Sequence, residues 1–159
     1  MRTVAIKPIA GIRKVRTGTS SFSYIQTVNM AMGCLMNLIG LAGLLYSEFM
    51  GMHLSPIHCL VLCSTGCLAI WMSTHSNYKQ LFWLSMILGG FYAINAGVGF
   101  FLGSLGDPGV GYRAPDALLI KIAPGFIELG LVDHCVHAFL SLFFFTGALS
   151  SKKRVPPKI

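Results

Sequence analysis

Gly130-Leu131-Val132-Asp133-His134-Cys135-Val136-His137 opens the last hydrophobic segment of the chain, which then runs through Phe139, Leu140, Leu142, Phe143, Phe144 and Phe145 without another charge. A continuous apolar run of this length, about 20 residues, is what a membrane-spanning helix needs. A carboxylate and two imidazoles at its start are costly in lipid, so they mark an internal contact or a site.

Working outward from this segment, the sequence contains four runs of the same kind, at 25–46, 53–72, 81–102 and 129–149. They are continuous and do not alternate, and every backbone group in lipid must find its partner locally, so helices are expected and barrel strands are not. The connections around 48–52 and 74–80 are short and imply antiparallel hairpins. The resulting fold class is an all-α, up-down bundle of four transmembrane helices spanning 25–149. The third connection, 103–128, is long and carries Gly106-Asp107-Pro108-Gly109, Gly111, Pro115 and Pro124-Gly125 around an amphipathic middle from Ala117 to Ala123. It reads as an outer loop, either a plain tether or a lid on the membrane surface.

Composition agrees: 54% of residues are hydrophobic and only 11% charged, which excludes an ordinary soluble domain. The net charge of +7 is carried mainly at the two ends, in a basic tail over 1–24 and another over 150–159. Basic residues placed beside apolar segments fit anionic lipid head groups and topology, and no nucleic-acid partner is expected. The positive-inside rule puts both termini in the cytoplasm, because Arg2, Lys7, Arg13, Lys14, Arg16, Lys79, Lys152, Lys153, Arg154 and Lys158 then share one side, with Arg113 and Lys121 opposite. This points to a multi-pass protein of the bacterial inner (cytoplasmic) membrane. All five acidic residues and His53, His58, His134 and His137 then fall toward the outer face.

Small residues recur on two helices: Asn29, Gly33 and Asn37 on the first, and Gly89, Ala93 and Gly97 on the third. Such stripes let backbones approach closely, so the first and third helices are expected to form the packed centre. Cys59, Cys63 and Cys67 repeat every four residues on the second helix, and thiols spread along two turns, about 12 Å, read as small core packing. Ser55-Pro56 reads as an N-cap followed by the first helical residue, which places His58 in the first turn.

The second and fourth helices run parallel, and counting from their cytoplasmic ends brings His58 and His137 to depths that agree within roughly 3–5 Å. The two imidazoles are therefore expected to face one another. Asp133, one turn before His137, is positioned to orient its ring. A structural His–Asp contact is the commoner use of such groups. The functional alternative is axial ligation of haem b or another tetrapyrrole by His58 and His137, with Asp133 and His134 in support. A weaker variant is a mononuclear metal held by His53, His58, His134 and His137.

Ile57-His58-Cys59-Leu60-Val61-Leu62 with Gly66, the run Gly89 to Gly99 containing Gly90-Phe91-Tyr92, and Asp133-His134-Cys135-Val136-His137 with Gly147 together resemble a broad family of uncharacterised bacterial four-helix membrane proteins, a domain of unknown function. The resemblance covers about residues 30–149 and implies the architecture without any chemistry. Phosphate loops, HExxH and nucleophile elbows are missing from the sequence. The expectation is a small non-catalytic accessory or scaffold subunit, embedded in the lipid bilayer and associating with other membrane subunits or with itself. A haem- or pigment-binding redox protein is the alternative.

Overall fold

A computed structural model describes residues 23–110 and 114–150. The basic tails fall outside the described residues, apart from their innermost positions. Four helices carry the fold: α1 (Tyr24–Leu45), α2 (Pro56–His75), α3 (Tyr78–Leu102) and α4 (Leu131–Ser150). Each is long and apolar enough to cross a membrane.

The helix starts follow from local chemistry. Ser55 Oγ accepts the His58 N–H at 3.2 Å, and Pro56 occupies the first helical position, where its missing N–H costs nothing. Asn77 and Gln80 form a reciprocal capping box, with both hydrogen bonds at 3.1 Å. This box starts α3 at Tyr78, three residues earlier than the apolar run suggests, and α2 continues to His75. His75 consequently ends a helix, stacked on Trp71, and does not lie in a turn.

The third connection corrects the all-α expectation. It folds as an antiparallel sheet in the order β1 (Ser104–Gly106), β2 (Asp116–Ala123), β3 (Ile127–Leu129). Ile120 pairs with Leu129 and Lys121 with Glu128. The turn between β2 and β3 places Pro124 second and Gly125 third, with Gly125 at φ +79° and Phe126 N–H donating to Ala123 O at 2.9 Å. That positive φ is the reason glycine stands there. An eight-residue run hemmed by Pro115 and Pro124 is too short and too restricted for a helix, so its amphipathic pattern expresses itself as a strand. The segment is therefore more than a plain tether.

The helices pack as two hairpins, α1 on α2 and α3 on α4, with a lesser seam between α1 and α4. This revises the expected α1–α3 centre: those two helices barely touch, although Asn29 Nδ2 still reaches Ser85 Oγ at 2.7 Å. Gly33 and Gly66 form the crossing of α1 and α2. A Cβ at either would lie within 2.8 Å of the other's carbonyl oxygen. Further along, a Cβ on Gly40 or Gly43 would strike the Sγ of Cys63 or Cys59. Cys67 Sγ sits 3.4 Å from Asn37 Oδ1. The cysteine stripe is thus packing material fitted against a glycine-lined groove. On α3, Gly89 receives the ring of Phe145. The main core joins Val28, Met32, Met36, Ala69, Leu88, Tyr92, Leu140 and Phe144.

Candidate functional site

The polar groups gather where the sheet meets the starts of α2 and α4. Glu128, on β3, accepts from Gly109 N at 2.5 Å, Gly125 N at 3.0 Å and Val110 N at 3.4 Å, with Lys121 Nζ at 4.0 Å. Burial alone would raise its carboxyl, but the three N–H groups and the lysine outweigh burial and hold it below the ordinary carboxylate range. Asp116 opens β2 and accepts from Leu118 N at 2.9 Å and Leu131 N at 3.1 Å, which joins the sheet to the first residue of α4. Its carboxyl is also held low, because those bonds and the His53 ring, 3.3 Å away, overcome desolvation. His53 is fully buried between acceptors, with Nδ1 3.2 Å from Val110 O.

Asp133, in the first turn of α4, is also fully buried. Its Oδ2 accepts from Gly130 N at 2.8 Å and His53 N at 3.1 Å. A carboxylate at a helix N-terminus is favourably placed for the exposed N–H groups there. Its other oxygen, Oδ1, has no hydrogen-bond partner and lies 3.9 Å from His58 Nδ1. The sequence expectation that Asp133 orients His137 is therefore corrected: its nearest imidazole is His58, and its bonded work is done on backbone. His134 likewise faces the sheet, with Nε2 donating to Leu118 O at 2.9 Å and its ring pressed against Gly99.

His58 and His137 do come together, as their depths predicted. Their ring centroids are 5.7 Å apart in edge-to-face contact, and both residues are buried. His58 Nδ1 donates to His53 O at 3.1 Å, which leaves Nε2 as its other ring nitrogen. That atom has no partner, and neither has His137 Nδ1. Tyr92 lies 5.4 Å from the His137 ring, and its hydroxyl is tied to Thr65 at 3.0 Å. In the sequence Tyr92 figures only within the pattern that carries the resemblance, with no role attached, and Thr65 does not figure at all. The available signal was a tyrosine deep within an apolar helix, whose hydroxyl requires a partner.

Both histidines line a cavity of about 210 Å³ between α2 and α3, walled by Leu62, Phe91, Tyr92 and Asn95 and roofed by Ile122, Ile127 and Leu129 of the sheet. Among the described residues, five buried side-chain nitrogen or oxygen atoms lack a partner, and four belong to His58, Asp133, His134 and His137. Buried polar groups are nearly always paired, so this concentration requires an explanation.

The four-histidine metal set is not assembled: His53 and His134 are committed to Asp116, Val110 and Leu118, and no group of three His, Cys, Asp or Glu converges on one point among the described residues. The haem reading finds its two imidazoles but, among the described residues, no slot for a tetrapyrrole between them. The rings already touch, and the cavity is below the ~300–1,000 Å³ typical of small-molecule sites. No family model, curated protein or solved structure matches the chain. The arrangement leaves unpaired polar atoms of His58, Asp133, His134 and His137 buried beside an apolar cavity and a sheet that is independently anchored.

Proposed function

We propose that this chain is a small non-catalytic integral membrane protein that acts as an accessory or scaffold subunit, docking another membrane helix on the outward face of α3. One observation supports the reading. The helical glycines Gly33, Gly40, Gly43, Gly66, Gly89, Gly99 and Gly147 each sit where an added Cβ would meet a neighbouring element, whereas at Gly90 and Gly97 it would meet nothing within 4 Å. Those two lie seven residues apart, on one face, beside the exposed Ile87, Ile94 and Phe101. In this fold glycine marks close helix approach, and these positions have no approaching helix among the described residues. Close packing through small residues is how helices associate in lipid, where the hydrophobic effect gives no drive.

The distribution of Lys and Arg supports an inner-membrane location with both termini cytoplasmic. The sheet and His53, His58, His134 and His137 then lie on the outer side.

Light scattering of protein purified in mild detergent tests the proposal. Wild type is expected as an oligomer or a stable complex, and mass spectrometry of the complex identifies whether the docked helix is a second copy or another subunit. The double variant Gly90→Leu, Gly97→Leu should dissociate while its melting temperature stays unchanged. A monodisperse wild-type monomer without partners refutes it.

A further inference from the structure

His53, just before α2, stands between two groups that both accept. Its Nδ1 lies 3.2 Å from Val110 O and its Nε2 lies 3.3 Å from Asp116 Oδ2, each with the geometry of a ring N–H hydrogen bond. We infer that His53 is an imidazolium that latches the sheet to the start of α2, and that the latch opens when rising pH on the sheet's side of the membrane takes a proton from the ring. The inference rests on the contacts of His53 and stands whether or not α3 docks another helix.

Counting donors decides the protonation state. A neutral imidazole carries one N–H and one lone pair, so one of the two oxygens would face a lone pair at hydrogen-bond distance. The Val110 carbonyl only accepts. Asp116 would donate only if protonated, and the N–H groups of Leu118 and Leu131, already aimed at its oxygens, keep it ionised. Both ring nitrogens therefore carry hydrogen. The His53 side chain is fully buried, and the Asp116 carboxylate offsets its charge on the spot. Gly130 backs the pair, because a Cβ there would collide with both the carboxylate and the ring. The neighbouring elements bring further titratable groups to this residue. Asp133 of α4 accepts the His53 backbone N–H at 3.1 Å, and His58 of α2 donates from Nδ1 to His53 O. Glu128 of β3 holds the Val110 N–H. Two carboxylates thus flank His53, and both favour a positive ring.

Loss of the proton leaves one N–H for two acceptors. The carboxylate keeps it, because a bond to a charged acceptor is the stronger, and the Val110 carbonyl is left against a lone pair. Val110 lies between β1 and β2, and its own N–H reaches Glu128 over a long 3.4 Å, so this end of the sheet is the one that yields. The closed latch holds one proton more than the open one, so closure is favoured at low pH and lost as pH rises through the imidazole range, about pH 5 to 8. Below about pH 4, protonation of Asp116 removes the partner instead, so the latch is closed over a window of pH. The Asp116 side chain keeps 9% of its surface exposed, which gives the proton an exit at the rim of the bundle. The same sheet roofs the cavity between α2 and α3 with Ile122, Ile127 and Leu129, so the latch sets how firmly that enclosure is covered.

Ring-nitrogen NMR of the full-length protein, isotope-labelled at histidine and held in lipid nanodiscs, reads the proton directly. The two nitrogens of an imidazolium resonate close together, and those of a neutral ring are widely split. His53 should show the close pair at about pH 5 and the split pair by about pH 9, on either side of the imidazole range. Amide exchange at Val110, corrected for its intrinsic rate, should quicken over that interval by at most about tenfold per pH unit, the slope that one proton sets. Gly125, tied to Glu128 within its own turn at 3.0 Å, should stay level and serves as the internal control. Asp116→Asn should give the split pair already at about pH 5. His53→Gln, whose donors do not titrate, should flatten the Val110 response. Should either variant fail to fold, the wild-type ring pattern decides alone. A split pair at about pH 5, a close pair that persists to about pH 9, or a Val110 response that survives His53→Gln overturns the latch.

Discussion

The carboxylates that join the sheet to the helices and the imidazoles beside the cavity are buried polar groups at the same end of the bundle, yet they are satisfied to opposite degrees. Glu128 and Asp116 each accept several backbone N–H groups, and Asp133 Oδ2 accepts two. His58 and His137 each keep a buried nitrogen with nothing to bond. Burying a polar group is tolerable once it is bonded and costly when it is not. The difference therefore separates groups whose bonds hold the fold from groups whose bonding is incomplete, and substitution should expose it.

The largest effect is expected at Asp133. Asp133→Ala leaves the N–H groups of His53 and Gly130 buried without an acceptor, and should cost about 3 kcal/mol. Thermal unfolding in detergent would read this as a large fall in melting temperature. A loss no greater than that of a typical surface substitution would break the comparison, since Asp133 would then belong with the unsatisfied set.

An intermediate effect is expected from acid. Asp116 and Glu128 are both held below their ordinary values, so the stabilisation they provide is complete above the unfolded carboxylate range, about pH 4. It is lost as pH falls below that range through their folded values, because protonation removes the acceptor charge that the backbone N–H groups, and Lys121 beside Glu128, surround. Hydrogen exchange at Gly109 and Gly125 should accelerate relative to the helix cores as pH drops, once corrected for intrinsic exchange. Glu128→Gln should remove most of the pH dependence at those amides. Acid-insensitive protection there would show that the strand pairing alone holds the sheet.

The smallest effect is expected at the cavity. His137→Phe keeps a ring against Tyr92 and removes an unpaired buried nitrogen, so its stability should lie within about 1 kcal/mol of wild type in either direction. A loss comparable to that of Asp133→Ala would mean that His137 is a structural contact, and the contrast would disappear.

Much of this was legible in order along the chain. The apolar runs, the Ser55-Pro56 start and the short connections specify the helices and their directions, because bilayer length and capping are local requirements. The meeting of His58 and His137 was also legible, since parallel helices with a fixed rise per residue bring equal depths together. The sheet was less so: Ala117 to Ala123 is amphipathic under either period over so short a span, and only its pairing with β1 and β3 resolves it.

The sequence by itself determined how many apolar helices there are, the stretch of chain each occupies to within about three residues, and that imidazoles and a carboxylate sit near one end of them. Tertiary structure alone decided which helix covers which face. Helices that are apolar all round carry no strong amphipathic stripe, so the small residues of α1 announce a close contact without naming α2 as the partner. It also decided what each polar group bonds to. Asp133 lies one turn from His137 along α4, yet its acceptor capacity goes to the N–H groups of His53 and Gly130, because a buried carboxylate is captured by the unpaired backbone donors that packing brings within reach.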